Sequence, residues 1–321
     1  MVIKIIKPGI FTTIQDLGRN GHRSAGIGPG GAMDFFAASV ANFLVGNEEK
    51  YPVIEMHFPA AEILFEEQAL VSVTGGDFSG FIDDEPIRLW RPCLIKKNQK
   101  LWFKKFIRGA RAYLAIRGGM ESENWLNSFS THVKVKAGGH KGRPLLRDDI
   151  IPLNATVRLK LIENFPGISG MVNQVYQPTN LIRCIAGPEW DLMKDESKTQ
   201  FSRLPFSVTV QSDRMGYRLQ ARNLAMKDPV QLISSPVDTG TIQLLPDGQL
   251  IVLLADHQTT GGYPRIANVI GVDLPKLAQL PVHSEIHFEL LGIENAEEAF
   301  VSLYQSLESI KNICTNYYDA Y

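Results

Sequence analysis

Apolar and polar positions alternate along this chain in short runs. In residues 156–161 (TVRLKL), Val157, Leu159 and Leu161 fall on one side and Arg158 and Lys160 on the other. Residues 285–290 (EIHFEL) and 207–210 repeat that period of two. Successive side chains of a strand point to opposite faces, so these runs predict half-buried strands. Apolar runs at 69–73, 112–116 and 249–255 predict more, with turns such as Pro246-Asp247-Gly248 between them. Many short strands with frequent turns predict a mainly β chain of barrel or sandwich type.

Two segments change to helical spacing. Asp34 is placed to cap residues 35–45, which sets Phe36, Val40, Phe43 and Leu44 on one face and Gly46 past the end. Near the C-terminus, Asn295 and Glu298 have the spacing of a capping box ahead of Phe300, Leu303, Tyr304, Leu307 and Ile310. Residues 163–179 carry Pro, Gly and polar residues without a period and read as a connector.

The 321 residues suffice for one large or two medium domains, and 44% hydrophobic with 21% charged residues is ordinary for a globular chain. A net charge of −1 argues against nucleic-acid or membrane partners. The basic run 96–111, with Trp102, Phe103 and Phe106 interleaved, reads as solvated hairpin edges. Cys93, Cys184 and Cys314 have no short spacing, and the first two sit in apolar β-like runs, as in a reducing compartment. No signal-peptide pattern and no spanning apolar stretch is seen, so a cytoplasmic protein is expected. His283 and His287 are four apart in strand-like sequence, where that spacing does not make a helical face, and no metal is expected.

Candidate chemistry concentrates in residues 251–270 (IVLLADHQTTGGYPRIANVI). An apolar run ends at Asp256 and opens into His257, Gln258, Thr259, Thr260, Gly261, Gly262 and Tyr263 before a second apolar run. The glycines permit positive φ and close ligand approach, and successive amides in such a turn can cradle an anion. A hairpin loop whose threonines satisfy the turn is the alternative. Residues 212–219 (SDRMGYRL) crowd Asp213, Arg214 and Tyr217 into one turn, where Asp213 could orient Arg214 or take a proton. Gln15, in a polar N-terminal cluster, and Asp77, at the end of a strand, are further candidates. No GxxxxGK[ST] phosphate loop and no nucleophile elbow is present.

These motifs occur in order with GIFTTIQDLGR (9–19), GGAMDFFAASVANFLVGNEE (30–49), TGGDFSGFIDDEPIRLWRP (74–92) and YLAIRGG (113–119). The chain thereby resembles the KipA family, also described as allophanate hydrolase subunit 2, carboxyltransferase subdomain B and the 5-oxoprolinase C subunit. The resemblance implies two cyclophilin-like β-barrel domains with a few short helices, which the connector places at 1–165 and 180–293; the helical tail at 294–321 lies past the resemblance. It implies an ATP-dependent opening of 5-oxoproline to glutamate, ATP acting through the assembled complex. The implied partners are a KipI/PxpB-like subunit and a LamB/YcsF (PxpA)-like subunit. Asp213, Arg214, Asp256 and Thr260 are then the catalytic candidates. Tyr217, His257, Gln258, Thr259, Gly261, Gly262, Tyr263, Gln15 and Asp77 are the substrate-binding ones. A carboxyltransferase working with biotin in a urea or allophanate system, and a non-catalytic KipI antagonist, are the alternatives.

The chain departs from the family pattern in two places. Gly76 stands where Ala is usual, and Asn127-Ser128-Phe129-Ser130-Thr131 stands where Gly-Ser-Arg-Ser-Thr is usual. Phe129 removes a cation there, and the run 138–143, ending in Gly142-Arg143, offers a partial replacement.

Overall fold

The computed structural model describes residues 1–154, 165–220, 224–228 and 232–320. The strand expected at 156–161 lies outside them. Two compact units emerge: Met1–Arg19, Gly30–Gln174 and Ser306–Tyr321 form the first, Asn20–Pro29 and Val175–Gln305 the second. The break after Gln174 falls inside the expected connector. Unlike the expected division, residues 20–29 go with the second unit and the last sixteen residues with the first.

In the first unit, a six-stranded sheet has the order Ile150–Pro152, Val2–Lys7, Glu62–Phe65, Gln99–Phe103, Gly80–Ile82, Glu85–Pro86. A five-stranded sheet has the order Thr12–Gln15, Val53–Met56, Arg108–Ile116, Ala69–Asp77, Pro92–Ile95. Ile3, Ile5, Ile63 and Phe65 of one sheet share a core with Ile14, Ile54, Val71 and Leu114 of the other. The strands of this unit are thus divided over two sheets about one core.

The strand Ala69–Asp77 is buried on both faces because the helix Phe35–Leu44 covers the side away from that core. Leu70 packs with Ala37, Ala38 and Ala41, while the polar residues between are matched to helix carbonyls. Ser72 donates to Ala41 O at 2.6 Å and Thr74 to Ala37 O at 2.7 Å. Asp34 caps the helix as expected, its Oδ1 accepting from Ala37 N at 2.9 Å.

The second unit closes into a seven-stranded barrel: Leu181–Ala186, Arg265–Val269, Thr241–Leu244, Leu250–Leu253, Gly216–Gln220, Phe206–Val208, Glu285–Leu290. Its last strand pairs in parallel with its first, Ile182 opposite Phe288. The alternating run 285–290 is a strand over its full length, whereas the one expected at 207–210 ends at Val208, where the chain turns.

The C-terminal helix runs Ile293–Asp319. It begins two residues before Asn295, which therefore lies inside the first turn and is not the cap. Of its expected apolar face, Leu303, Leu307 and Ile310 are buried, whereas Phe300 and Tyr304 are exposed.

Candidate functional site

The barrel brings residues far apart in sequence to one of its ends. Strands Gly216–Gln220 and Leu250–Leu253 are antiparallel neighbours with Gly216 opposite Leu253. The segment entering the first strand therefore meets the segment leaving the second. Leu254 N donates to Met215 O at 3.0 Å and Asp256 N to Arg214 O at 2.9 Å. On that frame the Arg214 guanidinium, 7% exposed, grips Asp256 side-on. Nε meets Oδ2 at 2.8 Å and Nη2 meets Oδ1 at 3.1 Å.

Asp213 does not orient Arg214. Its Oδ1 accepts from Met215 N at 2.8 Å and Gly216 N at 3.3 Å, fixing the turn as a short carboxylate two residues upstream readily does. Tyr217 alternates into the barrel interior, 3% exposed, and its hydroxyl donates to Leu280 O at 3.1 Å. Its phenol is a core group with a satisfied end, not a lining of the loop.

Downstream of Asp256 the chain is a ribbon, not an amide cradle. Thr260–Gly261 pairs antiparallel with Ser235–Pro236, and Val237 N donates to Thr259 O at 3.1 Å. Neither Gly261 nor Gly262 has positive φ. In extended backbone, successive amides point to opposite sides, so they do not converge on one anion. Gly261 has a packing reason instead: a Cβ there would stand 2.6 Å from Gln243 Nε2. Gly262 has room for one, with nothing nearer than Leu232 O at 3.4 Å. Gln258, Thr260 and Tyr263 are exposed on this ribbon and Thr259 is half-buried.

His257 stands apart from its neighbours because it is buried, at 2% exposure. Its Nδ1 lies 2.5 Å from Gln258 O, which assigns the proton to Nδ1 and leaves a lone pair on Nε2. Nε2 is buried without a partner among the described residues. Burial pushes this imidazole below its ordinary pKa, opposed by its contact with Gln258 O and by the Asp238 and Asp256 carboxylates, while Arg23 adds to the downward push. His257 is therefore neutral near pH 7.

Arg265 anchors the base of the ribbon. Its Nε and Nη2 take Glu189 at 3.1 and 2.9 Å, and Nη1 donates to Pro236 O at 3.1 Å. Beside it, a cavity of about 390 Å³ is lined by Arg23, Asp238, Thr241, Arg265 and Asn268 among others.

Gln15 and Asp77 belong to the first unit. Gln15 is fully buried, with Nε2 donating to Thr13 Oγ1 at 3.0 Å and Thr131 O at 3.5 Å. Asp77 accepts from Ser79 N at 2.9 Å and shapes the turn after its strand. The centre of the N-terminal polar cluster is Asp16, which sequence alone did not single out. Its carboxylate receives Gly18 N, Ser128 Oγ, Phe129 N and Ser130 Oγ at 2.8, 2.7, 2.6 and 2.5 Å. Phe129 thus serves this knot through its backbone. Arg143 is committed elsewhere: it clamps Asp149 bidentately at 2.7 and 2.8 Å and does not replace the missing cation. Among the described residues no cluster of three or more His, Cys, Asp or Glu could hold a metal, and no helix is long and apolar enough to cross a membrane.

Comparisons with known proteins agree along the chain. A family model described as the carboxyltransferase domain, subdomains A and B, matches residues 25–290. The chain is 37% identical over 298 residues to the 5-oxoprolinase C subunit of Escherichia coli, covering 93% of this chain and 94% of that one. It is 36% identical over 295 residues to the 5-oxoprolinase C subunit of Haemophilus influenzae, covering 92% and 93%. The solved urea carboxylase of Kluyveromyces lactis superposes with a TM-score of 0.89 at 27% identity, over 96% of this chain but 29% of that one. The chain thus spans under a third of the urea carboxylase.

Proposed function

The chain belongs to the carboxyltransferase-domain family, subdomains A and B, and from that premise we propose that it is the C subunit of a 5-oxoprolinase, which opens the lactam of 5-oxoproline to glutamate. The observation that carries this reading is likeness to the C subunits of two such enzymes over nearly the whole of each chain. A subunit of this kind works with other subunits, and the partners proposed are a KipI-type and a LamB/YcsF-type protein.

Opening an unstrained lactam is uphill, so the assembly couples it to ATP. In the proposed activation the lactam oxygen takes the γ-phosphoryl group, ADP leaves and the ring N–H proton is released. Water then adds to the carbon bearing that oxygen, the C–N bond breaks, and a second water releases phosphate. This chain has no P-loop sequence, and nucleotide binding is assigned to the complex. The step needs hydrogen-bond donors where negative charge develops and an acceptor for a proton. The exposed hydroxyl of Thr260 is the proposed donor. His257 Nε2, a neutral and buried lone pair, is the proposed acceptor. Arg214 and Asp256 hold the two loops together and set the potential there, since the side-on edge of the guanidinium is already taken by Asp256.

Reconstitution tests the reading. The chain alone should not turn over 5-oxoproline, whereas co-expression with both partner types should give a complex on size exclusion that forms glutamate only when ATP is supplied. A complex that assembles but never forms glutamate would leave a sequestering protein as the better account.

A further inference from the structure

The segment Asn20–Pro29 lies with the second unit although it precedes most of the first in sequence. It is compact: Ala25 N and Ile27 N both donate to His22 O, and Gly26 N donates to Arg23 O at 3.0 Å. Arg23 reaches residues more than two hundred positions away. Its Nη1 donates to Asp238 Oδ2 at 3.0 Å, and its Nη2 donates to Val237 O. Val237 is one step from the ribbon, since its own N–H bonds Thr259 O and the preceding pair Ser235–Pro236 faces Thr260–Gly261.

The other end of the segment touches the ribbon's opposite approach. A Cβ on Gly28 would stand 2.7 Å from the backbone oxygen of His257, so only glycine lets the two backbones meet this closely. Arg23 thus fixes Val237 on one side and Gly28 seats His257 on the other. The residues Gln258 to Gly261 are held between them.

We infer that Asn20–Pro29 is a strap that positions the ribbon, with Arg23 and Gly28 as positioning residues for the reaction. The inference rests on the proposed role of Thr260 and His257. The Arg23–Asp238 pair is exposed, 38% and 64%, so it adds little to stability. Holding Val237 in register has a larger effect on chemistry, because a displacement of about 1 Å can cost on the order of a hundredfold in rate.

The test uses the full chain and its reconstituted assembly. In Arg23→Ala, hydrogen exchange should quicken in peptides covering 235–238 and 256–261 and stay unchanged in the remaining barrel strands, the pattern of a local opening. With 5-oxoproline, kcat should fall at least about tenfold with KM changed less than about threefold, and Arg23→Lys should recover part of it, keeping the charge without the fork. Gly28→Ala should act in the same direction through His257. Unchanged exchange in both peptides overturns the strap, whatever the activity. Faster exchange at full kcat overturns its part in the reaction and removes the ribbon from the proposed site. A wild-type assembly that is inactive on 5-oxoproline fails the functional reading instead, and the exchange data still decide the contact.

Discussion

Replacing Asp256 by Asn should destabilise the second unit substantially, and the structure sets the size. The change deletes the negative charge that Arg214 grips through two N–H groups at 2.8 and 3.1 Å. The Arg214 side chain is 8% exposed, so water cannot replace the lost carboxylate, whereas Asp256 is 20% exposed and keeps some hydration. Breaking one partner of a fully buried pair costs about 3–5 kcal/mol. Scaled for the exposed fifth of Asp256 and for the one hydrogen bond Asn still accepts, about 2–3 kcal/mol is expected. At about 2–4 °C per kcal/mol for a unit of this size, that lowers the melting temperature by about 4–12 °C. Arg214→Lys keeps the charge but not the fork and should cost less, about 1–2 kcal/mol. Urea denaturation of both single variants and the double variant gives the coupling energy directly. A coupling near zero, or an Asp256→Asn protein melting within a degree of wild type, would refute the claim that this pair holds the loops.

Three further outcomes follow from the same end of the barrel. Because burial holds His257 below its ordinary pKa, the unfolded chain binds more protons between the folded value and about 6.5, so the contribution of His257 is complete above that pH and is lost as pH falls below it; His257→Gln should flatten this part of a stability-versus-pH curve. Thr260→Val should change stability by less than about 0.5 kcal/mol, as its hydroxyl is exposed, yet cut the rate of the reconstituted assembly on the order of a hundredfold if it is the donor. Gly261→Ala displaces the amide end of Gln243 and with it the hydrogen bond from Nε2 to Tyr263 O, so it should cost about 0.5–1.5 kcal/mol, while Gly262→Ala is close to neutral, a contrast that thermal melts of the two variants will check.

The period-two run at 285–290 was legible because a barrel wall buries one side of each strand, as Ile286 and Phe288 show. Asp34 was legible because a helix cap acts within three residues of itself. The candidate loops were found, but the partners inside them were not. Asp213 stands next to Arg214 in sequence, and sequence adjacency suggested the pair; the antiparallel pairing of two strands instead delivers Asp256 from forty-two residues away. The two ribbon glycines look alike in sequence, yet only Gly261 is crowded, because Gln243 of another strand lies against it. Asp16 drew no notice because its donors come from residues 128–130 as well as from Gly18. Long-range pairing decides these cases, and one sequence carries little trace of it.

The parallel seam between Leu181–Ala186 and Glu285–Leu290 bears on how the protein is made. The barrel cannot shut until residues near 290 have left the ribosome, and the strap at 20–29 must wait for a unit synthesised long after it. Such non-local closure makes for slow folding, because loop entropy is lost before the contacts reward it. Until then, Leu181–Ala186 and Phe206–Val208 present open edges that invite pairing with other chains. Chains stopped short of residue 285 should therefore aggregate rather than accumulate as soluble fragments, and chaperone dependence during synthesis should centre on this interval.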